Sequence, residues 1–264
     1  MKKIDLDGLT MNVIDQGKGK PILFVHGFPL DHRMWREQRA SFSAEYRVII
    51  PDLRGFGESD VTSGTVSMAK FADDLDKMLA KLHVVEPVVY CGLSMGGYIA
   101  WEFVRRHPER LEALIVCNSK ALPDSEDTRQ TRHHSAVELR NNGTDNVVFA
   151  MMPKMFGMTT REKNPGLVEE FRQIMLDSNP EGMAAAQLGM ADRIDATTLL
   201  ADIKIPTLMI AGEEDIISPV MEMREIANAM PHGHFAEIPG VGHLSPLENP
   251  VAVNDAIRKF IEQL

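Results

Sequence analysis

Val88-Val89-Tyr90-Cys91-Gly92-Leu93-Ser94-Met95-Gly96-Gly97-Tyr98-Ile99-Ala100-Trp101-Glu102 contains three elements in succession. A β-branched apolar run suits a buried strand, G-x-S-x-G suits a sharp turn, and the residues after the turn have helical spacing. So tight a turn needs flanks almost free of side chains, which Gly92 and Gly96 supply. Ser94 is thereby lifted above the sheet at the start of a helix, whose dipole favours negative charge nearby. A glycine-rich strand-to-helix turn with an incidental serine fits the same letters. The choice between the two rests on whether the rest of the chain supplies a base, an acid and oxyanion donors.

Before this stretch, Lys3–Leu9 and Met11–Gln16 read as a hairpin closed by Asp7-Gly8. Ile22–Val25 reads as a buried strand, Arg33–Ala44 as a helix with Trp35 inward, and Val48–Ile50 as the next strand. Met68, Phe71, Leu75, Met78 and Leu82 place a helix over Ser67–Leu82. After it, Leu111–Asn118 is another apolar strand, and strand–helix alternation resumes at Thr207–Ala211, Met221–Ala229, Phe235–Ile238 and Pro250–Gln263. Alternation of this kind predicts right-handed βαβ units and a mainly parallel sheet covered on both faces. Between Ser119 and Thr198 the rhythm stops. Helical segments Asp127–Asn141, Asn146–Phe156, Leu167–Leu176 and Glu181–Met190 follow one another with no buried-strand signal. The expected layout is an α/β core, residues 1–118 and 199–264, interrupted by a helical cap, residues 119–198.

Composition narrows the function. The formal charge of −10 over 264 residues opposes a nucleic-acid or anionic-membrane surface. The two cysteines, Cys91 and Cys117, lie in apolar runs and suggest neither a disulfide scaffold nor a zinc site. The N-terminal residues have no signal-like apolar stretch, and no apolar run reaches the roughly 18 residues needed to span a bilayer. A cytoplasmic protein acting on a small molecule, as monomer or homodimer, is the expectation.

A serine hydroxyl needs a base to take its proton. Of the nine histidines, His243 in Gly240-Val241-Gly242-His243 sits on a flexible loop between the last strand and the last helix, where it can reach over the sheet's carboxyl edge. The base needs a carboxylate on its other ring nitrogen. Asp215 follows the Thr207–Ala211 strand, with Glu213 and Glu214 as neighbouring competitors. Oxyanion donors are expected from the N–H groups of Met95 and Phe28, because Pro29 has no N–H to give. His26 is a second candidate base, better read as tying down its own loop. In the cap, Met151, Met152, Met155 and Phe156, with Met158, Met175, Met183 and Met190, concentrate adaptable side chains. Most would pack cap helices against the core; Phe28, Met151, Met155 and Phe156 are the candidates to line a substrate pocket. Lys154, Arg161 and Arg193 are cap cations that would serve an acidic substrate or simply face water.

These motifs together resemble the α/β-hydrolase superfamily over essentially the full length. The carriers are Gly92-Leu93-Ser94-Met95-Gly96-Gly97, His26-Gly27-Phe28-Pro29, Asp52-Leu53-Arg54-Gly55-Phe56-Gly57-Glu58-Ser59, Gly212…Asp215 and Gly242-His243. The order Ser…Asp…His is that superfamily's order. The resemblance implies a mostly parallel eight-stranded sheet under a cap, no cofactor or metal, a cis peptide before Pro29, and loop-bracing roles for Arg54 and Ser59. Within the superfamily the chain is most similar to carboxylesterases and 3-oxoadipate enol-lactonases, the run Asn118-Ser119-Lys120-Ala121 resembling their cap opening. Haloalkane dehalogenases and soluble epoxide hydrolases share the fold but attack with aspartate, which Ser94 replaces here. The expected activity is hydrolysis of a small carboxylic ester, with lactone or enol-lactone hydrolysis as the alternative. A small-molecule receptor on the same scaffold is the non-enzymatic alternative.

Overall fold

A computed structural model describes residues 1–264. Its first elements are the expected hairpin: β1 (Lys2–Asp5) and β2 (Thr10–Gln16) pair antiparallel, with Asp7 and Gly8 both at positive φ in the connection. β2 runs antiparallel to β4 (Arg47–Pro51), and β4 runs parallel to β3 (Pro21–Val25). β5 (Val88–Leu93), β6 (Leu111–Cys117), β7 (Thr207–Gly212) and β8 (Gly233–Ile238) extend the sheet in parallel. The eight strands lie in the order β1-β2-β4-β3-β5-β6-β7-β8. The mainly parallel sheet expected from the alternation, with the eight strands that the resemblance implies, is therefore present.

Its central strands are apolar because helices cover both faces, so β3, β5 and β7 are buried throughout. The edge strands β1 and β8 carry Lys2, Lys3 and Glu237, charges that discourage pairing with another chain. α1 (Arg36–Phe42) is shorter than the helix read from sequence. It is preceded by a 3₁₀ turn, His32–Trp35, because the Asp31 carboxylate caps Arg33 N–H and fixes a separate start. α2 (Met68–Lys81) begins where Ser67 accepts the Lys70 N–H and buries Met68, Phe71, Leu75 and Met78 on one face. α3 (Met95–Arg106) follows β5 without a linker.

Between β6 and β7 the chain forms α4 (Glu126–Asn142), α5 (Asp145–Met155), α6 (Met158–Lys163), α7 (Pro165–Leu176) and α8 (Pro180–Ala191). α6 was not expected. Its sequence, MTTREK, has no apolar period, and it is held by acceptors from outside the cap, Glu214 and Glu248. α9 (Val220–Asn228), the short α10 (Ser245–Glu248) and α11 (Pro250–Ile261) complete the chain. A single cluster of 80 buried hydrophobic residues runs from the sheet into the cap through Met155, Phe171, Met175 and Met183. The cap's packing is thus continuous with the core rather than a second hydrophobic centre. No helix is long and apolar enough to cross a membrane.

Candidate active site

β5 delivers Ser94 into a conformation few residues adopt, φ 52° and ψ −109°. The glycines around it are sterically required. A Cβ on Gly92 would lie 2.5 Å from the Gly96 carbonyl oxygen, and one on Gly96 would lie 2.4 Å from that of Val25. β6 holds the turn: Ser94 N–H donates to the Cys117 carbonyl (2.9 Å), and the Ser119 hydroxyl donates to the Ser94 carbonyl (2.8 Å).

Ser94 Oγ lies 2.8 Å from His243 Nε2, and His243 Nδ1 lies 2.9 Å from Asp215 Oδ2. An ionised carboxylate only accepts hydrogen bonds, so Nδ1 carries the proton and Nε2 is left to accept the serine O–H. Asp215 Oδ1 is held by the backbone N–H groups of Ile217 (2.8 Å) and Ser218 (3.1 Å), while Oδ2 also takes the Asn118 amide (2.9 Å). Burial opposes ionisation of Asp215, but the His243 charge and these donors outweigh it and hold its carboxyl below the ordinary range. The neighbouring acids are engaged elsewhere. Glu213 accepts Gly240 N–H (2.8 Å), and Glu214 accepts the N–H and hydroxyl of Thr159 in α6.

The His243 loop is braced by Glu248, a residue with no motif around it to mark it in the sequence. Its carboxylate accepts the N–H groups of Gly242 and Leu244, on either side of His243, each at 3.0 Å. It also accepts Gly157 N–H (2.9 Å) and the Thr160 hydroxyl (2.6 Å) from the cap. Burial pushes the Glu248 carboxyl above its ordinary range against the pull of these donors. Glu214 and Glu248 together pin the α6 segment to the loops that carry Asp215 and His243.

Phe28 lies beside Ser94, and its peptide bond to Pro29 is cis. The Phe28 N–H donates to no backbone acceptor. Met95 is the first residue of α3, a position whose N–H has no acceptor within the helix. His26 is turned away from Ser94. It is fully buried, its Nε2 accepts Leu53 N–H (3.0 Å), and its ring meets Phe56 edge-on. Burial lowers its proton affinity, so it stays neutral as a structural acceptor. Arg54 grips Asp74 through two nitrogens, and the Ser59 hydroxyl donates to the Asp52 carbonyl, so both brace their loop. Asp31, His32 and Asp52 converge within 4.8 Å in that region. Their atoms are bound to Arg33, Asn12 and backbone N–H groups instead of being turned outward as a ligand set.

Above Ser94 and His243 is a cavity of about 600 Å³. Phe28, Tyr98, Met151, Met155, Met190 and Ile217 form its apolar lining. Thr128, Thr131, Arg132 and Gln187 form a polar wall, with Lys154 and Glu138 also on the lining. Phe156, expected in the pocket, is not part of that lining. At the end of α5 the backbone turns extended (φ −118°, ψ 144°), and Phe156 is buried in the core next to the Gly157–Gly242 contact. Arg193 is likewise withdrawn, stacked 4.3 Å over the Tyr98 ring and paired with Asp124.

A family model described as the alpha/beta hydrolase fold matches residues 20–250. The chain is 42% identical to a thermophilic esterase from Thermogutta terrifontis solved with malate bound, with a TM-score of 0.96 over 99% of this chain and 96% of that one. The enol-lactonase from Burkholderia xenovorans is 25% identical, with a TM-score of 0.92 over 99% of this chain and 100% of that one. Among curated sequences, 3-oxoadipate enol-lactonase 1 of Acinetobacter baylyi is 29% identical over 97% of this chain and 95% of that protein.

Proposed function

Because the chain belongs to the α/β-hydrolase family, we propose that it is a serine hydrolase of small carboxylic esters, working through Ser94, His243 and Asp215. The observation that carries the reading is the unbroken line Ser94 Oγ–His243 Nε2 and His243 Nδ1–Asp215 Oδ2, at 2.8 and 2.9 Å. Ser94 Oγ attacks the ester carbonyl as its proton passes to His243 Nε2, and Asp215 stabilises the imidazolium. The carbonyl electrons move onto oxygen, where the N–H groups of Phe28 and Met95 receive them. Collapse expels the alkoxide, which takes the proton from His243 and leaves as alcohol. Water, deprotonated by the same nitrogen, then attacks the acyl-Ser94 ester; the acid departs and the serine proton returns. The cavity volume falls in the range typical of small-molecule sites.

A lactone or enol-lactone is the second reading. It is favoured by the enol-lactonase relatives and by Lys154, which lines the cavity without an ion-pair partner and suits a substrate carboxylate. The malate in the Thermogutta esterase is a carboxylate in that protein's crystal. Both readings use the same groups, so the substrate alone distinguishes them.

The test is initial rate over a chain-length series of p-nitrophenyl esters and an enol-lactone, for wild type and Ser94→Ala. Ester turnover lost in Ser94→Ala, with an acid limb as His243 takes a proton, supports the proposal. A far higher rate on the lactone moves the substrate class and keeps the mechanism. Rates at the mutant's background on every substrate, together with ligand-induced thermal stabilisation, would shift the assignment to a small-molecule receptor.

A further inference from the structure

The carboxyl end of β6 touches all three loops of the site through three consecutive residues. The Cys117 carbonyl and the Ser119 hydroxyl hold the two sides of Ser94. Asn118, between them, is completely buried and sits at φ 47°, a left-handed conformation that asparagine tolerates better than most residues. The left-handed turn takes Asn118 out of the strand's alternation, and its own N–H still bonds the Ile210 carbonyl of β7 (2.8 Å).

We infer that Asn118 is a positioning residue for the Asp215–His243 pair. Its amide nitrogen donates one hydrogen to Asp215 Oδ2 (2.9 Å) and the other to the Gly242 carbonyl (3.2 Å). Its amide oxygen accepts the Ser245 hydroxyl (2.5 Å). The reverse amide orientation is excluded by chemistry, since it would set an oxygen against a carboxylate and a carbonyl. One planar group therefore joins the acid to both flanks of the base. It contacts the same carboxylate oxygen that His243 uses. Asn118 thus fixes the rotation of the Asp215 carboxylate and the height of the His243 loop, and it helps keep Asp215 ionised. No substrate reaches it, so its effect on turnover is exerted through His243.

The inference rests on the proposed serine mechanism, and the variants are chosen to separate the two. Asn118→Gly keeps the left-handed backbone but deletes the amide. Asn118→Asp keeps shape and backbone but sets a carboxyl against Asp215 Oδ2, where the two share a proton, and it leaves the Gly242 carbonyl without its donor. The other ionisable groups packed about His243 are Glu248, bound to Gly242 and Leu244 N–H, and Glu214, facing Thr159 of the cap. With active sites counted by the p-nitrophenol burst, Asn118→Gly is expected to lower kcat about 10-fold to 100-fold with KM within about threefold. Asn118→Asp is expected to lower kcat at least as far, because a proton shared with Asp215 weakens that carboxylate's bond to His243 Nδ1. In a Ser94→Ala background, NMR of the His243 Nδ1–H reads the same weakening of the bond to Asp215, in either variant, without any turnover. That arm still decides the inference if no ester proves to be a substrate. Unchanged kcat per active site in Asn118→Gly, with only a lower melting temperature, would overturn it. So would an unmoved His243 Nδ1–H resonance in Asn118→Gly and Asn118→Asp. Should one variant not fold, the other is decisive by its own readout.

Discussion

The floor and the roof of the cavity are built on opposite principles. On the floor, at the carboxyl ends of β5, β6 and β7, the side chains that hold Asp215 and His243 are committed, whereas the Phe28 and Met95 N–H groups stay without an acceptor. The Asp215 carboxylate accepts from Ile217, Ser218, His243 and Asn118, and the Asn118 amide uses both hydrogens and its oxygen. On the roof, Met151, Met155 and Met190 offer flexible side chains, and Lys154 has no ion-pair partner. Rigid, saturated hydrogen bonding suits groups that must meet a transition state within fractions of an ångström. A pliable surface suits a site that selects among substrates. Under the proposed mechanism, the contrast assigns chemistry to the floor and choice to the roof. Glu214 and Glu248 couple the two by fastening α6 beside the acid and the base.

The largest effect that could break this division is expected from Asp215→Asn. An amide donating to Nδ1 forces the proton onto Nε2, where it faces Ser94 and blocks attack. kcat should fall by roughly 10³-fold to 10⁴-fold, with melting temperature little changed. A loss below about tenfold would mean that the floor does not depend on its hydrogen-bond saturation.

A smaller effect tests whether hydrogen-bond saturation also loads the loop after β4, outside the floor. Burial opposes ionisation of Asp52, but the His32 and Asn12 hydrogen bonds and the His32 charge bring its carboxyl from 3.8 down to about 2. A folded-state value below the unfolded one gives stability that is present above about 4 and lost as pH falls through about 2. That loss should be about 2 kcal/mol, measured as the urea midpoint between those pH values. Asp52→Asn should show a shallower decline. An identical decline would place the acid sensitivity elsewhere.

The smallest effect belongs to the roof. Met151 is half-buried and lines the cavity. Met151→Ala should raise KM for long-chain esters about fivefold to tenfold, the worth of one or two methylene contacts. kcat on short esters should remain within about twofold. If kcat on short esters fell instead, the roof would share in the chemistry and the division would fail.

Much of the floor was legible in the sequence because its constraints are local. Gly92 and Gly96 are dictated by backbone atoms within reach of the turn, and Asp215 follows the buried strand β7 and His243 the edge strand β8, each on a short loop. The cap helices with apolar faces were legible as well, whereas α6 was not. Thr159 and Thr160 are helical there because acceptors from distant segments, Glu214 and Glu248, take their hydrogen-bonding groups. Phe156 was misplaced for a related reason. Composition marked it as a pocket residue, but the end of α5 sends it into the core.

By itself, the sequence determined the strand–helix alternation, the sharp turn at Ser94 and the chain order Ser94, Asp215, His243, since each depends on residue type and short-range spacing. Tertiary structure alone decided that Asn118 joins Asp215 to the His243 loop and that Glu248 ties that loop to the cap. It also decided which of the methionines face the cavity. The Asn118 contacts and the Glu248–Gly157 contact join residues far apart in the chain, and an asparagine or a glutamate looks the same in sequence whether it faces water or is buried with every hydrogen bond filled.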